Sequence, residues 1–105
     1  AFEHYVRAFS QPGAMRAGFE LYRAFRKDAE DNRAVISQGK LQMPLLAATG
    51  EGSDFTRIMP GMMAEVAENW EHVVIEHSGH WIPEENPQEL AKHMITFLND
   101  QDIPV

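Results

Sequence analysis

A histidine follows the most strand-like stretch of the chain and is the first candidate for chemistry. Residues 73–75 are Val-Val-Ile, an apolar and β-branched run, and the pair at 78–79 is a turn signal, so His80 lies just past a predicted strand end. In open α/β sheets, the loops at the carboxyl ends of strands hold ligands and catalytic side chains. An imidazole there can act as a general base near neutral pH. The alternative is a turn with a half-buried, hydrogen-bonded histidine.

Two carboxylates follow the other predicted strand. Residues 45–50 form a short apolar run that ends in glycine, and the loop after it carries Glu51 and Asp54. A carboxylate that accepts the imidazole N–H fixes the tautomer of the histidine, which is the orienting role in a catalytic triad. Both acids are equally compatible with ordinary solvated turn positions, so the residues alone leave their role open.

Two helices are predicted before the strands, over residues 1–10 and from Ala14 to about Asp31. Tyr22 belongs to an aromatic stripe at helical spacing in the second helix, and the spacing alone favours packing in a core. The alternative is that its phenol lines a pocket and donates a hydrogen bond to a substrate oxygen.

The rest of the pattern predicts a βαβα arrangement. Pro60 is expected to open a crossover helix between the two strands, within the segment from about Asp54 to Glu71, because parallel strands require such a connection. A last helix is expected to start at Pro87, with Asn86 as N-cap, Glu89 completing a capping box, and residues 99–105 as a frayed end.

Composition restricts the partners. Nine Lys and Arg against sixteen Asp and Glu give a net charge of −7, which argues against a nucleic acid or an anionic membrane as partner. The absence of cysteine and of an apolar run of about 20 residues predicts a soluble, cytoplasmic chain. No metal and no cofactor are expected, because the histidines show no metal-ligand spacing: His4, His72, His77, His80 and His93.

Three segments together resemble a known family. Residues 78–90, Ser-Gly-His-Trp-Ile-Pro-Glu-Glu-Asn-Pro-Gln-Glu-Leu, closely resemble the catalytic-histidine segment near the C-terminus of α/β-hydrolases, and residues 43–51 resemble the strand and loop that bring in the triad acid. Residues 5–17 and 20–23 are similar to the end of the lid in the epoxide-hydrolase and haloalkane-dehalogenase branch. The implied fold is α/β: the end of a helical lid at 1–36, then the last two parallel strands and their helices, a C-terminal part of the core, at 37–105.

The resemblance implies a role for each candidate. His80 would activate water to hydrolyse a covalent aspartyl ester, and Asp54 matches the acid position best, with Glu51 as the alternative because of one extra residue in the loop. Tyr22 matches a lid tyrosine that hydrogen-bonds the epoxide oxygen, which reverses the preference from spacing, and Trp81 is expected to contact substrate. The implied partner is a small-molecule substrate.

The family's nucleophile is not in these residues. The chain has no Gly-x-Asp/Ser-x-Gly elbow, so it is expected to be the C-terminal portion of a larger hydrolase and inactive alone. Dehalogenation, ester hydrolysis and a non-catalytic interaction module are the alternatives to epoxide hydrolysis. Unpaired strand edges and apolar helix faces predict self-association, as a homo-oligomer or by strand exchange.

Overall fold

Two six-residue strands form a parallel sheet, as the apolar runs predict. The computed structural model describes residues 1–101 of the chain. Strand β1 is Leu45–Gly50 and strand β2 is Trp70–Ile75, paired in register from Leu45 opposite Trp70 to Gly50 opposite Ile75. Strand β2 therefore starts before its Val-Val-Ile run, because pairing with β1 extends it over more polar positions.

The crossover helix differs from the prediction at its start. Helix α3 is Phe55–Val66, so Pro60 lies inside it and the expectation that Pro60 opens the helix is wrong. The start is fixed earlier by Ser53, whose Oγ accepts the Phe55 N–H at 3.3 Å and whose carbonyl accepts the Thr56 N–H at 3.1 Å. These hydrogen bonds to Ser53 stabilise a helix start at Phe55, and they outweigh the preference of proline for the first turn of a helix.

The C-terminal helices follow the predicted boundary at Asn86, with one addition. A four-residue helix, α4 (Ile82–Glu85), precedes helix α5 (Pro87–Asp100). The Asn86 side chain accepts the Glu89 N–H at 3.3 Å, which confirms the N-cap, and its Nδ2 donates to the Glu76 carbonyl at 2.8 Å.

The second hydrogen bond of the predicted capping box, from the Asn86 N–H to the Glu89 carboxylate, is not formed. The Asn86 N–H donates to the Ile82 carbonyl at 2.9 Å, so it is not free for the Glu89 carboxylate. That carboxylate instead accepts from Lys92 at 3.0 Å and faces His93 at 3.4 Å. The hydrogen bond from Lys92 lowers the pKa of Glu89. Helix α5 continues through Asp100, so Asn99 and Asp100 are helical and not frayed as predicted. Residues 102–105, for which a frayed end was also predicted, lie outside the described residues.

The N-terminal residues form two helices. Helix α1 is Phe2–Phe9 and helix α2 is Ala14–Ile36, which is longer than predicted. The polar run after residue 26 continues the helix because Lys27 and Asp31, four residues apart, pair on its surface. No helix within residues 1–101 is both long and apolar enough to cross a membrane.

The chain divides into two compact units, residues 1–39 and 40–105. The first unit contains α1 and α2, and no residue of either helix is buried. In the second unit the buried apolar residues are Ala47, Ala67, Ile75 and Ile82, with Thr49 and Ser78 as buried polar residues. The assignment of residues 1–36 to a lid and 37–105 to a core stays a prediction, as does self-association.

Replacement of Asn86 by alanine is expected to destabilise the protein by about 1–2 kcal/mol, because the variant loses the helix cap and the bond to the Glu76 carbonyl together. Urea unfolding of the wild type and the variant measures the difference. Gln88→Ala is the control, since Gln88 is exposed in the first turn of the same helix. Equal unfolding midpoints for Asn86→Ala and Gln88→Ala would contradict the prediction.

Candidate functional site

The loops that follow β1 and β2 are joined by their backbones. The Glu51 N–H donates to the Ile75 carbonyl and the Gly52 N–H donates to the Ser78 carbonyl, each at 2.9 Å. Since both loops leave the carboxyl ends of parallel strands, these bonds continue the sheet pairing by a few residues. The loop with the two acids and the loop with the histidine therefore lie side by side.

Glycine at position 50 makes this approach possible. A Cβ on Gly50 would lie 2.0 Å from the Gly79 carbonyl oxygen and 2.7 Å from that of Ser78. Both obstacles are backbone atoms, so no side-chain rotation relieves the overlap. Gly50, which ends the apolar run in the sequence, is therefore also the residue at which the two loops touch.

Two carboxylates hold the turn before His80. The Glu51 carboxylate accepts the His77 N–H at 3.1 Å, and the Glu85 carboxylate accepts the Gly79 N–H. His77 has a φ of 53°, an uncommon left-handed conformation for a non-glycine residue, and the bond to Glu51 helps to hold it there. Glu51 thus has a structural partner of its own.

His80 lies between two aromatic rings on the surface of the second unit. Its ring centroid is 5.7 Å from that of Phe55 with the planes tilted by 41°, and 5.2 Å from that of Trp81 in an edge-on arrangement. His80 is exposed and borders a small pocket of about 190 Å³. The other lining residues are Ala48, Thr49, Ser53, Phe55, Met59 and Ile82.

Asp54 directly precedes Phe55 and is the N-cap position of α3, with an exposed side chain that caps no amide of the helix. Its neighbour Phe55 contacts the His80 ring, which brings Asp54 into the same part of the surface. Within residues 1–101, no hydrogen bond or ion pair joins His80 to Asp54 or to Glu51. The triad-type contact is therefore not formed by either acid in this arrangement.

The two remaining predicted site residues are both exposed. Trp81 is 66% exposed and edge-on to His80. Tyr22 lies on α2 in the first unit, 68% exposed, with its ring centroid 5.1 Å from that of Phe25. Tyr22 therefore pairs with an aromatic ring of its own helix and is not part of a buried core.

Sequence reasoning missed the residues that hold the loops. The bond between His77 and Glu51 carries no local signal, because the two residues are 26 positions apart and His77 is neither the glycine nor the asparagine that would indicate a left-handed turn. Glu85 lies only six residues from its partner Gly79, but the spacing of the two residues has no recognised turn signature. Ser53 could have been found, since serine is a preferred residue at helix N-termini, where its hydroxyl accepts a free backbone N–H. In the described part of the chain, no group of three His, Asp or Glu side chains is placed to hold a metal ion.

Comparison with known proteins relates this arrangement to one family. No family model matches the chain. The chain is 38% identical to a soluble epoxide hydrolase of Corynebacterium sp. (strain C12) over 94 residues, which is 90% of this chain and 32% of that protein. It is 32% identical to epoxide hydrolase 3 of Mus musculus over 104 residues, 93% of this chain and 26% of that protein.

The fold agrees with the sequence comparison. The crystal structure of wild-type Cfl2 from Burkholderia cenocepacia superposes with a TM-score of 0.86 at 39% identity, over 90% of this chain and 32% of that one. Over about 90% of its length the chain is similar to part of an epoxide hydrolase-like α/β-hydrolase. This confirms both the resemblance and the fold class predicted from residues 78–90 and 43–51. The chain spans between a quarter and a third of the length of these proteins.

Gly50→Ala is expected to destabilise the hydrolase chain by about 2–3 kcal/mol, because the new methyl group forces the two site loops apart. The matched control is Gly61→Ala on α3, where the added Cβ would have no heavy atom within 4 Å. This substitution should stabilise the helix by about 1 kcal/mol, because alanine has the higher helix propensity. Urea unfolding of both variants measures the contrast. Equal effects at the two positions would show that the Gly50 contact is not limiting.

Proposed function

We propose that the full-length protein containing this chain hydrolyses an epoxide through a covalent aspartyl ester, and that His80 activates the water that cleaves the ester. The proposal rests on one placement, that of His80 at the carboxyl ends of the strands beside a pocket and against the loop that carries Asp54. It is supported by two relatives that are both named epoxide hydrolases.

The steps balance as the addition of one water to the epoxide. An aspartate outside residues 1–105 attacks an epoxide carbon, the C–O bond breaks, and the oxygen takes the proton of the Tyr22 phenol to become a hydroxyl. His80 then takes a proton from water as the water attacks the ester carbonyl, and returns it to the leaving alkoxide. The product is a diol, and the carboxylic acid left on the nucleophile returns its proton to the tyrosinate, which restores the aspartate, the phenol and the neutral imidazole.

Tyr22 is proposed as a donor to the epoxide oxygen. Its phenol is exposed on α2, and none of the hydrogen bonds among residues 1–101 uses it, so the O–H is free to bind a substrate oxygen. Trp81 is proposed to contact the substrate beside His80, since it presents an exposed aromatic surface next to the imidazole.

Asp54 is the preferred acid for orienting His80, and Glu51 is the alternative. The Glu51 carboxylate already accepts the His77 N–H, whereas the Asp54 side chain is not engaged by the helix it precedes. Catalytic hydrogen bonds are often long before substrate binds and tighten in the complex, so the bond between His80 and Asp54 is expected to form when substrate is present.

His80→Gln in the full-length protein is expected to stop turnover and to trap the ester. The variant should gain the mass of one epoxide molecule on the nucleophile's peptide, because glutamine cannot take the proton from water. Mass spectrometry after incubation with an aryl epoxide detects the adduct.

The isolated chain of 105 residues should show no turnover, and Tyr22→Phe should slow the formation of the adduct.

The control for this experiment is His77→Asn. His77 is exposed and three residues away, only its backbone N–H is engaged, and asparagine tolerates its positive φ. It should keep near wild-type activity. Undiminished steady-state activity of His80→Gln would remove His80 from the mechanism, and a wild type that hydrolyses esters but no epoxide would redirect the proposal to a serine nucleophile.

Asp54→Asn and Glu51→Gln separate the two acids. Asp54→Asn is expected to lower kcat by a factor of about 10²–10⁴, because an amide cannot stabilise the imidazolium. Glu51→Gln should stay within about threefold, since its amide oxygen still accepts the His77 N–H and keeps the turn. Steady-state kinetics on one epoxide measure both. The reverse pattern assigns the role to Glu51, and full activity of both variants excludes both acids from it.

A further inference from the structure

A continuous line of hydrogen bonds runs from β2 through β1 to α3, beneath the loop that carries Asp54. The His72 Nε2 lies 2.7 Å from the Thr49 Oγ1, which lies 3.0 Å from the Thr56 Oγ1. The Thr56 Oγ1 in turn lies 2.7 Å from the Gly50 carbonyl oxygen. Thr49 is only 3% exposed, so water does not replace these partners easily.

The proton directions along this line follow from its last member. A carbonyl can only accept, so Thr56 must donate its single hydroxyl proton to the Gly50 oxygen. The single Thr56 proton cannot point at both oxygens, and its contact with the carbonyl is the shorter of the two, so we assign the donor role in the 3.0 Å contact between the hydroxyls to Thr49. With this assignment Thr49 accepts from His72, and the His72 Nε2 carries a hydrogen.

The line of hydrogen bonds ends at Gly50, where the backbones of the two site loops meet. Gly50 is in tight backbone contact with Gly79 and Ser78, and its carbonyl immediately precedes the loop with Glu51 and Asp54. A displacement of the Gly50 carbonyl would therefore move the acid-bearing loop against the histidine-bearing loop. Thr49 also borders the pocket beside His80, so the same line shapes the floor of that pocket.

We infer that His72, Thr49 and Thr56 form a positioning relay in which the His72 Nε2–H is the terminal donor and the Gly50 carbonyl is the fixed point. None of the three touches the reacting atoms. Their role is to hold the start of the acid loop at one distance from the histidine loop. The catalytic consequence of this relay rests on the proposed function, whereas its proton order does not.

The first test reads the proton order directly. Nitrogen-15 NMR of the full-length protein, with the His72 signals assigned through a His72→Gln variant, reports which ring nitrogen is protonated. The relay requires a protonated Nε2. An Nδ1–H tautomer with a bare Nε2 overturns it, whether or not the protein is an active epoxide hydrolase.

The second test uses two matched pairs of variants in the full-length protein. Thr56→Ser keeps the hydroxyl, and His72→Gln places an amide N–H donor about where the Nε2 of His72 lies. Both variants should retain the wild-type kcat for an epoxide within about threefold. Thr56→Val and His72→Phe keep the volume but remove the bond, and should lower kcat about tenfold with KM little changed, because a small displacement of a catalytic loop costs rate rather than binding. The combination of Thr56→Val and His72→Phe should lower kcat no more than the larger single effect, since both break one line.

The outcomes separate the two proposals. If His80→Gln abolishes turnover while Thr56→Val and His72→Phe remain fully active, the proposed function stands and the positioning role fails. Loss of activity in Thr56→Ser and His72→Gln as well would also overturn it, because those variants preserve the bonds. If the wild type hydrolyses no epoxide, the proposed function fails, and the NMR result alone decides the relay.

Discussion

The site of this hydrolase chain depends on the close approach of two backbones at Gly50. Parallel pairing of β1 and β2 brings both strand ends to the same edge, but pairing alone does not determine how closely the loops beyond them approach. The missing side chain at Gly50 permits contact with Gly79 and Ser78, and hydrogen bonds from Glu51 and Gly52 then join the loops. The distance between the acid loop and the histidine loop is thus set by backbone sterics before any catalytic side chain is considered.

Polar groups then stabilise that contact from both sides. Carboxylates of Glu51 and Glu85 hold the turn that leads to His80, and the line of hydroxyls that begins at His72 holds the Gly50 carbonyl. In the described part of the chain, no buried side-chain nitrogen or oxygen lacks a hydrogen-bond partner. A region with so few buried apolar residues gains much of its order from these satisfied polar groups.

The sequence predicts the elements well where the signal is local. The strands, the helix start at Asn86 and the position of His80 after a strand all follow from apolar runs, caps and turn residues within a few positions. The start of α3 was misread because Pro60 is a strong but secondary signal and Ser53 fixes the helix first. The bonds between His77 and Glu51 and between His72 and Thr49 could not be predicted, because they join residues that only the fold brings together.

Main-chain groups and the carboxylates of Glu51 and Glu85 hold the two site loops, so the side chains that only line the pocket take no part in that contact. Phe55 and Met59 line the pocket beside His80 but carry none of the bonds that join the loops. Such positions can diverge between related enzymes, or be randomised in a directed-evolution library, with little effect on loop geometry. Gly50 has the opposite character: the carbonyl oxygens of Gly79 and Ser78 occupy the space that a side chain would need, so the position must remain glycine for the two loops to keep their contact.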